Sequence, residues 1–310
     1  MIDFLVLITV SIVIAATPML FAAVGELVVE RSGVLNLGVE GMMLLGAVIG
    51  FGITFSTGSA ILGIVGAAFA GAAMALIFAV LVLTLMANQV ATGLALTIFG
   101  VGLSALIGAS FVGTPISPLP KLNLPVLSGL PIVGPLLFQY DGMVYLSIAL
   151  TFAVGWFLKR THAGMVLRAV GESAESAHSI GHPVIGVRYL ATLFGGAMAG
   201  LGGAFLSLSV TPMWADNMTA GRGWIALALV VFGSWRPGRV LLGAYIFGGV
   251  TILQLHAQGS GAMSLGIPAQ VFTMLPYLAT IAVLTIISAG PWRGRFQAPA
   301  CLGISFRPFV

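Results

Sequence analysis

Long apolar runs on either side of one polar stretch, Lys159–Arg188, decide what this chain can fold into. That stretch, KRTHAGMVLRAVGESAESAHSIGHPVIGVR, holds six charged residues, Lys159, Arg160, Arg168, Glu172, Glu175 and Arg188, and three of the chain's four histidines. Elsewhere charge is scarce: only 6% of residues are charged and 59% are hydrophobic, against about 25% charge in soluble domains. A chain this poor in charge cannot cover a water-exposed globule. The prediction is an all-α polytopic membrane protein, with the polar stretch outside the lipid. An outer-membrane barrel would alternate over segments of about ten residues, and the runs here are longer and unbroken. At about 20 residues per crossing, the length allows roughly eight to ten helices, forming one transmembrane domain over 1–290 with a tail over 291–310.

Candidate spans fall at about 4–24, 34–56, 60–85, 88–112, 142–158, 189–210, 224–235, 240–258 and 269–290. No Lys or Arg precedes 4–24, so this segment lacks the basic start of a cleavable signal and reads as a retained span. Placing the N-terminus outside puts Arg31, Lys159, Arg160, Arg168, Arg188, Arg236, Arg239, Arg293, Arg295 and Arg307 inside, against Lys121 and Arg222 outside. That asymmetry follows the positive-inside rule and puts the polar stretch and the C-terminus in the cytoplasm. The net charge of +4 therefore reports sidedness, and nucleic acid is not expected as a partner. The single cysteine, Cys301, excludes a disulfide framework and any multi-cysteine metal site. The segment 224–235 is too short for an ordinary crossing and is expected to be a half-helix or re-entrant piece.

Gly25–Gly41, GELVVERSGVLNLGVEG, sets Glu26, Glu30, Arg31, Asn36 and Glu40 against the start of an apolar helix. Ionisable groups at membrane depth cost about 2.5–3.5 kcal/mol each on insertion scales, so they face water or the bundle interior. Gly33, Gly38 and Gly41 are expected to break the span. Asn36 and Glu40, four apart, are predicted to share a helix face and line the pathway. Glu30, Arg31 and Gly33, with Arg222 further along the chain, are gate or structural candidates; for Glu30 and Arg31 an ordinary solvated loop is the alternative. Asn88 is read either as an interfacial turn residue or as a pathway residue, with Thr92 and Thr97 continuing its polar track. Six prolines over 113–141 predict an extended, rigid external loop. Asp216 and Arg222 could pair at the outer mouth, with solvated charges the default. Spacings such as Gly46/Gly50 and Gly196/Gly200 predict close helix packing.

Within the polar stretch, Glu172 and Glu175 precede His178, an order that suits a helix dipole, and Gly181 and Pro183 supply the stop. A short polar helix at about 172–180 follows. His178 and His182 alone do not make a metal site. The chain has no G-x-x-x-x-G-K-[ST] sequence, so it lacks the usual ATP cradle, and no acid–base or metal constellation points to an enzyme.

GELVVERSGVLNLGVEGMMLLGA (25–47), LRAVGESAESAHSIGHPV (167–184) and AGRGWIALALVVFGSWRPGRVLLGAYIFG (220–248) resemble, in order, the permease subunits of bacterial ABC importers for simple sugars, nucleosides and branched-chain amino acids. ERSGVLNLGVEG is most similar to the nucleoside branch. The resemblance implies a type II-like importer fold with broken or re-entrant helices in a bacterial cytoplasmic membrane. It implies a coupling helix at Glu172–Gly181, with Gly171, Glu172, Glu175, Ala177, His178 and Gly181 as the coupling residues. The implied partners are an ABC ATPase that uses the ATP, a second homologous permease forming a heterodimer, an extracytoplasmic substrate-binding lipoprotein and membrane lipid. A nucleoside is the expected solute; a sugar, a branched-chain amino acid, or a stand-alone ion-coupled transporter are the alternatives.

Overall fold

In hydrocarbon a backbone amide has no water to bond, so apolar sequence of this length closes its hydrogen bonds within helices. The computed structural model describes residues 2–122, 133–259 and 298–307, together with Met274, Leu278, Ile281, Ala282 and Thr285. Among the described residues the helices are α1 (Ile2–Arg31), α2 (Val39–Thr57), α3 (Ala60–Ala79), α4 (Gln89–Gly108), α5 (Val133–Phe138), α6 (Gly142–Arg160), α7 (His162–Glu172), α8 (Ala174–Ser179), α9 (Val184–Phe205), α10 (Arg222–Phe232) and α11 (Pro237–Gly259). α3 and α9 each continue into a π-helical turn, Val80–Thr84 and Leu206–Val210. Seven helices, α1, α2, α3, α4, α6, α9 and α11, are long and apolar enough to cross a membrane, and α10 is a shorter apolar helix. The span expected at 269–290 lies outside the described residues apart from five isolated positions.

The core is a four-helix contact between α1, α2, α3 and α9. Small residues set its closeness: a Cβ on Gly46 would collide with Gly200, and one on Gly71 with the carbonyl of Gly196. Backbones that approach this far gain dispersion contact that lipid cannot match, as the small-residue spacing predicted. α1 and α9 run antiparallel, Gly25 meeting Gly195 and Gly202 meeting Pro18; α2 runs parallel to α9, its Met43 carbonyl against Gly203. Met43 therefore lies at the level of Pro18, midway along α1. The start of α2 is thus inside the bundle rather than at its end, and residues 32–38 return the chain to that depth from Arg31.

Two expectations need correction. The polar stretch is two helices, not one: α7 ends at Glu172, and Ser173 in an extended conformation starts α8 by accepting the Ser176 amide. Glu172 therefore closes α7 instead of opening the short helix, because a serine cap there outweighs continued helix. Gly181, at φ +90°, does supply the stop. The loop 113–141 is not extended throughout, since α5 forms in it with Pro135 in the first turn, where proline's missing N–H costs nothing. Its first part is pinned to the end of α9, Ile116 N–H donating to the Pro212 carbonyl and Leu119 N–H to the Leu208 carbonyl. Within the tail, a strap of residues 298–307 packs back onto the bundle.

Candidate functional site

The polar groups predicted at membrane depth divide between the two ends of α10: Glu40 lies where α10 and α2 begin, and Glu30 and Arg31 meet Trp235 past its end. Glu40 in the first turn of α2 is 4% exposed, yet its carboxylate is fully engaged. One oxygen accepts Thr219 Oγ1–H and the Gly221 amide at 2.8 Å; the other accepts the Gly223 amide at 2.6 Å. These donors form the start of α10, whose orphan amides and positive dipole end favour an anion. From this point α2 runs to Thr57, whereas α10 runs toward Arg31, ending where Trp235 meets Glu30. The long α2 and the short α10 thus begin at one buried carboxylate. Arg222, beside it, donates to the Met218 and Thr219 carbonyls, where the sequence had suggested a solvated charge or a pairing with Asp216.

The non-helical segment before α2 is held by side chains. Asn36 N–H donates to Glu26 Oε1, Leu35 N–H to Gln89 Oε1, Gly38 N–H to Asn36 Oδ1, and Thr97 Oγ1–H to the Leu37 carbonyl. Buried backbone groups must find partners, and here each nearby amide, carboxylate or hydroxyl supplies one. Asn36 is accordingly off the helix: α2 begins at Val39, so Asn36 and Glu40 do not share a helix face, and the glycines around Asn36 explain the break. Thr97 also departs from the expected track, facing inward. Asn88 caps α4 by accepting the Ala91 amide. Thr92 is half-buried, and below it Ala95, Phe99 and Gly102 are exposed. With Asn88 they make a stripe on the side of α4 opposite its packed edge of Gly93, Leu96, Gly100, Ser104 and Gly108.

At the Arg31 end the second assembly is built on α7 and α8. Gly171 packs so tightly on Arg31 that a Cβ would strike the Arg31 carbonyl. Ala177 is buried in a small cluster with Val170, Ala174, Val184 and Phe306. Glu172, Glu175, Ser176, Ser179, Ile180 and Gly181 are exposed. Of the sequence-named residues, Gly171 and Ala177 therefore face the bundle, and Glu172, Glu175 and Gly181 face out. His178 stands edge-on to Phe306 at 5.5 Å, and His182 to His162 at 6.3 Å. No group of three or more metal-ligating side chains occurs among the described residues. Ile180, 71% exposed at the tip of α8, was missed by sequence reasoning, because an isolated apolar residue before Gly181 carries no periodic signal.

The tail ties this assembly to the broken span. Cys301 N–H donates to the Gly171 carbonyl and Gly303 N–H to the Gly33 carbonyl. Arg188 on α9, 1% exposed, donates Nε–H to the Ser32 carbonyl and an Nη1–H to the Ile304 carbonyl. Beside it, Arg31 donates to the Trp235 carbonyl while Trp235 Nε1–H donates to Glu30. A continuous chain of contacts therefore runs from α8 through the strap and residues 32–33 to the Glu40 junction.

Residues 8–284 match the family profile described as the branched-chain amino acid transport system permease component. A candidate glucose ABC transporter permease protein of Haloferax volcanii is 42% identical, with 93% of each chain covered. The nucleoside ABC transporter permease protein of Lactococcus lactis is 29% identical, covering 97% of this chain and 96% of its own. The guanosine ABC transporter permease protein of Bacillus subtilis is 31% identical over 96% of each. No solved structure matches the chain significantly.

Proposed function

The chain belongs to the permease-component family of branched-chain amino acid transport systems, a multi-pass ABC transporter subunit and not an enzyme, and on that premise we propose that it imports a neutral, hydroxyl-rich solute, a nucleoside or a sugar. Membership implies an ATPase partner. The relatives named for guanosine, nucleoside and glucose support the solute class. The exposed stripe of α4, with an amide at Asn88, a hydroxyl at Thr92 and an aromatic face at Phe99, suits a neutral ring bearing hydroxyls better than a zwitterion. It would face the pathway shared with a second, homologous permease, and a substrate-binding lipoprotein would deliver solute at the end of the bundle where the loop 113–122 is pinned. The N-terminus lies outside and α8 in the cytoplasm, as the distribution of Lys and Arg favours.

The observation that carries the mechanism is the strap between α8 and the broken span. ATPase closure displaces α8, which cannot move alone: residues 301–304, Arg188 and the Arg31–Trp235 contact carry the displacement to α1 and α10, and so to Glu40. Coupling needs each ATPase state to prefer one permease conformation, and a short helix seated on Phe306 moves as a body. Ile180 supplies the apolar anchor on the ATPase, with Glu175 and Glu172 beside it.

The test is co-reconstitution with the ATPase, permease partner and binding protein in proteoliposomes. ATP-dependent uptake of labelled guanosine or glucose is expected. Ile180→Glu should abolish substrate-stimulated ATP hydrolysis while the chain still inserts and elutes as the wild type. Undiminished uptake without the ATPase would sink this reading.

A further inference from the structure

Six of the chain's twelve Lys and Arg residues line one concavity at the α8 end of the bundle. Two adjoining cavities of about 410 and 520 Å³ share the walls Gly155, Lys159, Arg236 and Pro237. Arg31 and Arg168 line the first, with Leu158 and Trp235; Arg160 and Arg239 line the second. The cations come from four separate places: the ends of α1 and α6, the middle of α7, and the turn into α11. Positive-inside topology needs basic residues on one side but does not require them to share a cleft. Few carboxylates offset them. Glu30, below the floor, is taken by Trp235, and Glu172 is the acid that acts on Arg31. Arg31 and Arg239 are braced on the Trp235 carbonyl and Ser234 Oγ, which fixes part of the cationic wall in place.

The second cavity has an apolar side. Phe152 and Trp156 on α6 are 66% and 62% exposed, and with Leu241 they continue the wall away from the charges. An exposed Trp and Phe at the end of an apolar helix, adjoining cations, match the boundary between acyl chain and headgroup. We propose that this cleft binds an anionic phospholipid, its phosphate among Lys159, Arg160, Arg236 and Arg239 and an acyl chain across Phe152, Trp156 and Leu241. The headgroup must carry net negative charge, because a zwitterionic one returns a cation to a cleft already filled with them. The inference stands on the cavities and their charges, whichever solute the permease moves.

The full-length chain in phosphatidylcholine nanodiscs, doped with spin-labelled phosphatidylglycerol or spin-labelled phosphatidylcholine, tests it through the motionally restricted fraction of each label. A preference of about tenfold or more for phosphatidylglycerol is expected from four cations at about 1 kcal/mol each. It should approach parity in Lys159→Gln/Arg160→Gln/Arg236→Gln/Arg239→Gln and remain in Arg307→Gln, a cation on the tail. The two paired variants, each tested alone, should lose part of the preference, so the result does not hang on the fourfold variant folding. No preference in the wild type, or an equal loss in Arg307→Gln, overturns the site in favour of diffuse surface charge. Displacement of phosphatidylglycerol by millimolar pyrophosphate overturns it in favour of a soluble polyphosphate. A fourfold variant that keeps its lipid preference but no longer retains the ATPase overturns it in favour of an acidic protein surface.

Discussion

Glu40 Oε2 accepts the Gly223 amide at 2.6 Å, so the carboxylate that opens α2 also closes the start of α10. A Cβ at Gly223 would stand 2.6 Å from that same oxygen and 2.7 Å from the Glu40 amide, leaving no room for any other residue. Charge-assisted bonds of this kind contribute about 1.5–3 kcal/mol each, and stripping the acceptor leaves the donors buried and unpaired. Glu40→Ala is expected to destabilise by about 3 kcal/mol or more and to abolish uptake. Glu40→Gln keeps one acceptor oxygen and should lose less. Thermal unfolding in detergent and proteoliposome uptake give the order.

Gly171 and the Arg31 carbonyl form the second close contact. Gly171→Ala should shift α7 away from α1 at about 1–3 kcal/mol, the range for overpacking. The expected signature is uncoupling: basal ATP hydrolysis by the assembled complex persists, but its stimulation by substrate falls. Loss of both together would instead indicate failed assembly.

Arg188 holds the strap from inside the bundle, and Cys301 reports on it. Arg188→Met keeps the stem and loses the donors to Ser32 and Ile304. Each 1.4 kcal/mol taken from the local opening free energy raises exposure about tenfold. Maleimide labelling of Cys301, half-buried with Sγ 3.5 Å from the Glu172 carbonyl, should accelerate by roughly that factor. An unchanged rate would mean that Phe306 and the Cys301 and Gly303 amide bonds seat the tail without Arg188.

Trp235→Phe removes the indole donor and leaves Glu30 buried without it, at about 2–3 kcal/mol. Glu30→Met combined with Trp235→Phe removes both polar partners and should recover much of the loss. Comparing the thermal midpoints of the three variants with the wild type measures the coupling.

Much of the fold was legible because lipid leaves the chain few choices. Charge scarcity dictated helices, and apolar length placed those that could cross. Gly33 and Gly38 marked the break before α2, whereas Gly41, expected to share in it, is helical inside α2. The short run after Arg222 marked α10 as a half-span. What escaped was nonlocal. Glu40 looked like a pathway residue, and nothing near it in sequence shows that residues 219–223 will surround it. Asn36 sat at helical spacing from Glu40, but spacing is silent about where the helix begins. The short polar helix seemed to open at Glu172, because the Glu–His order favours a dipole and does not reveal that Ser173 is the cap. The tail, with prolines and no period, had no signal for a strap whose bonds come from its backbone amides.

The strap also has a consequence for biosynthesis. Synthesis runs from the N-terminus, so α8 emerges from the ribosome well before Cys301, Gly303 and Phe306, the residues that seat it. Until those residues arrive, α8 lacks its underside. A nascent or prematurely terminated permease would therefore offer the ATPase a loose α8, and a motor that binds only the seated form would engage only chains made at least as far as Phe306.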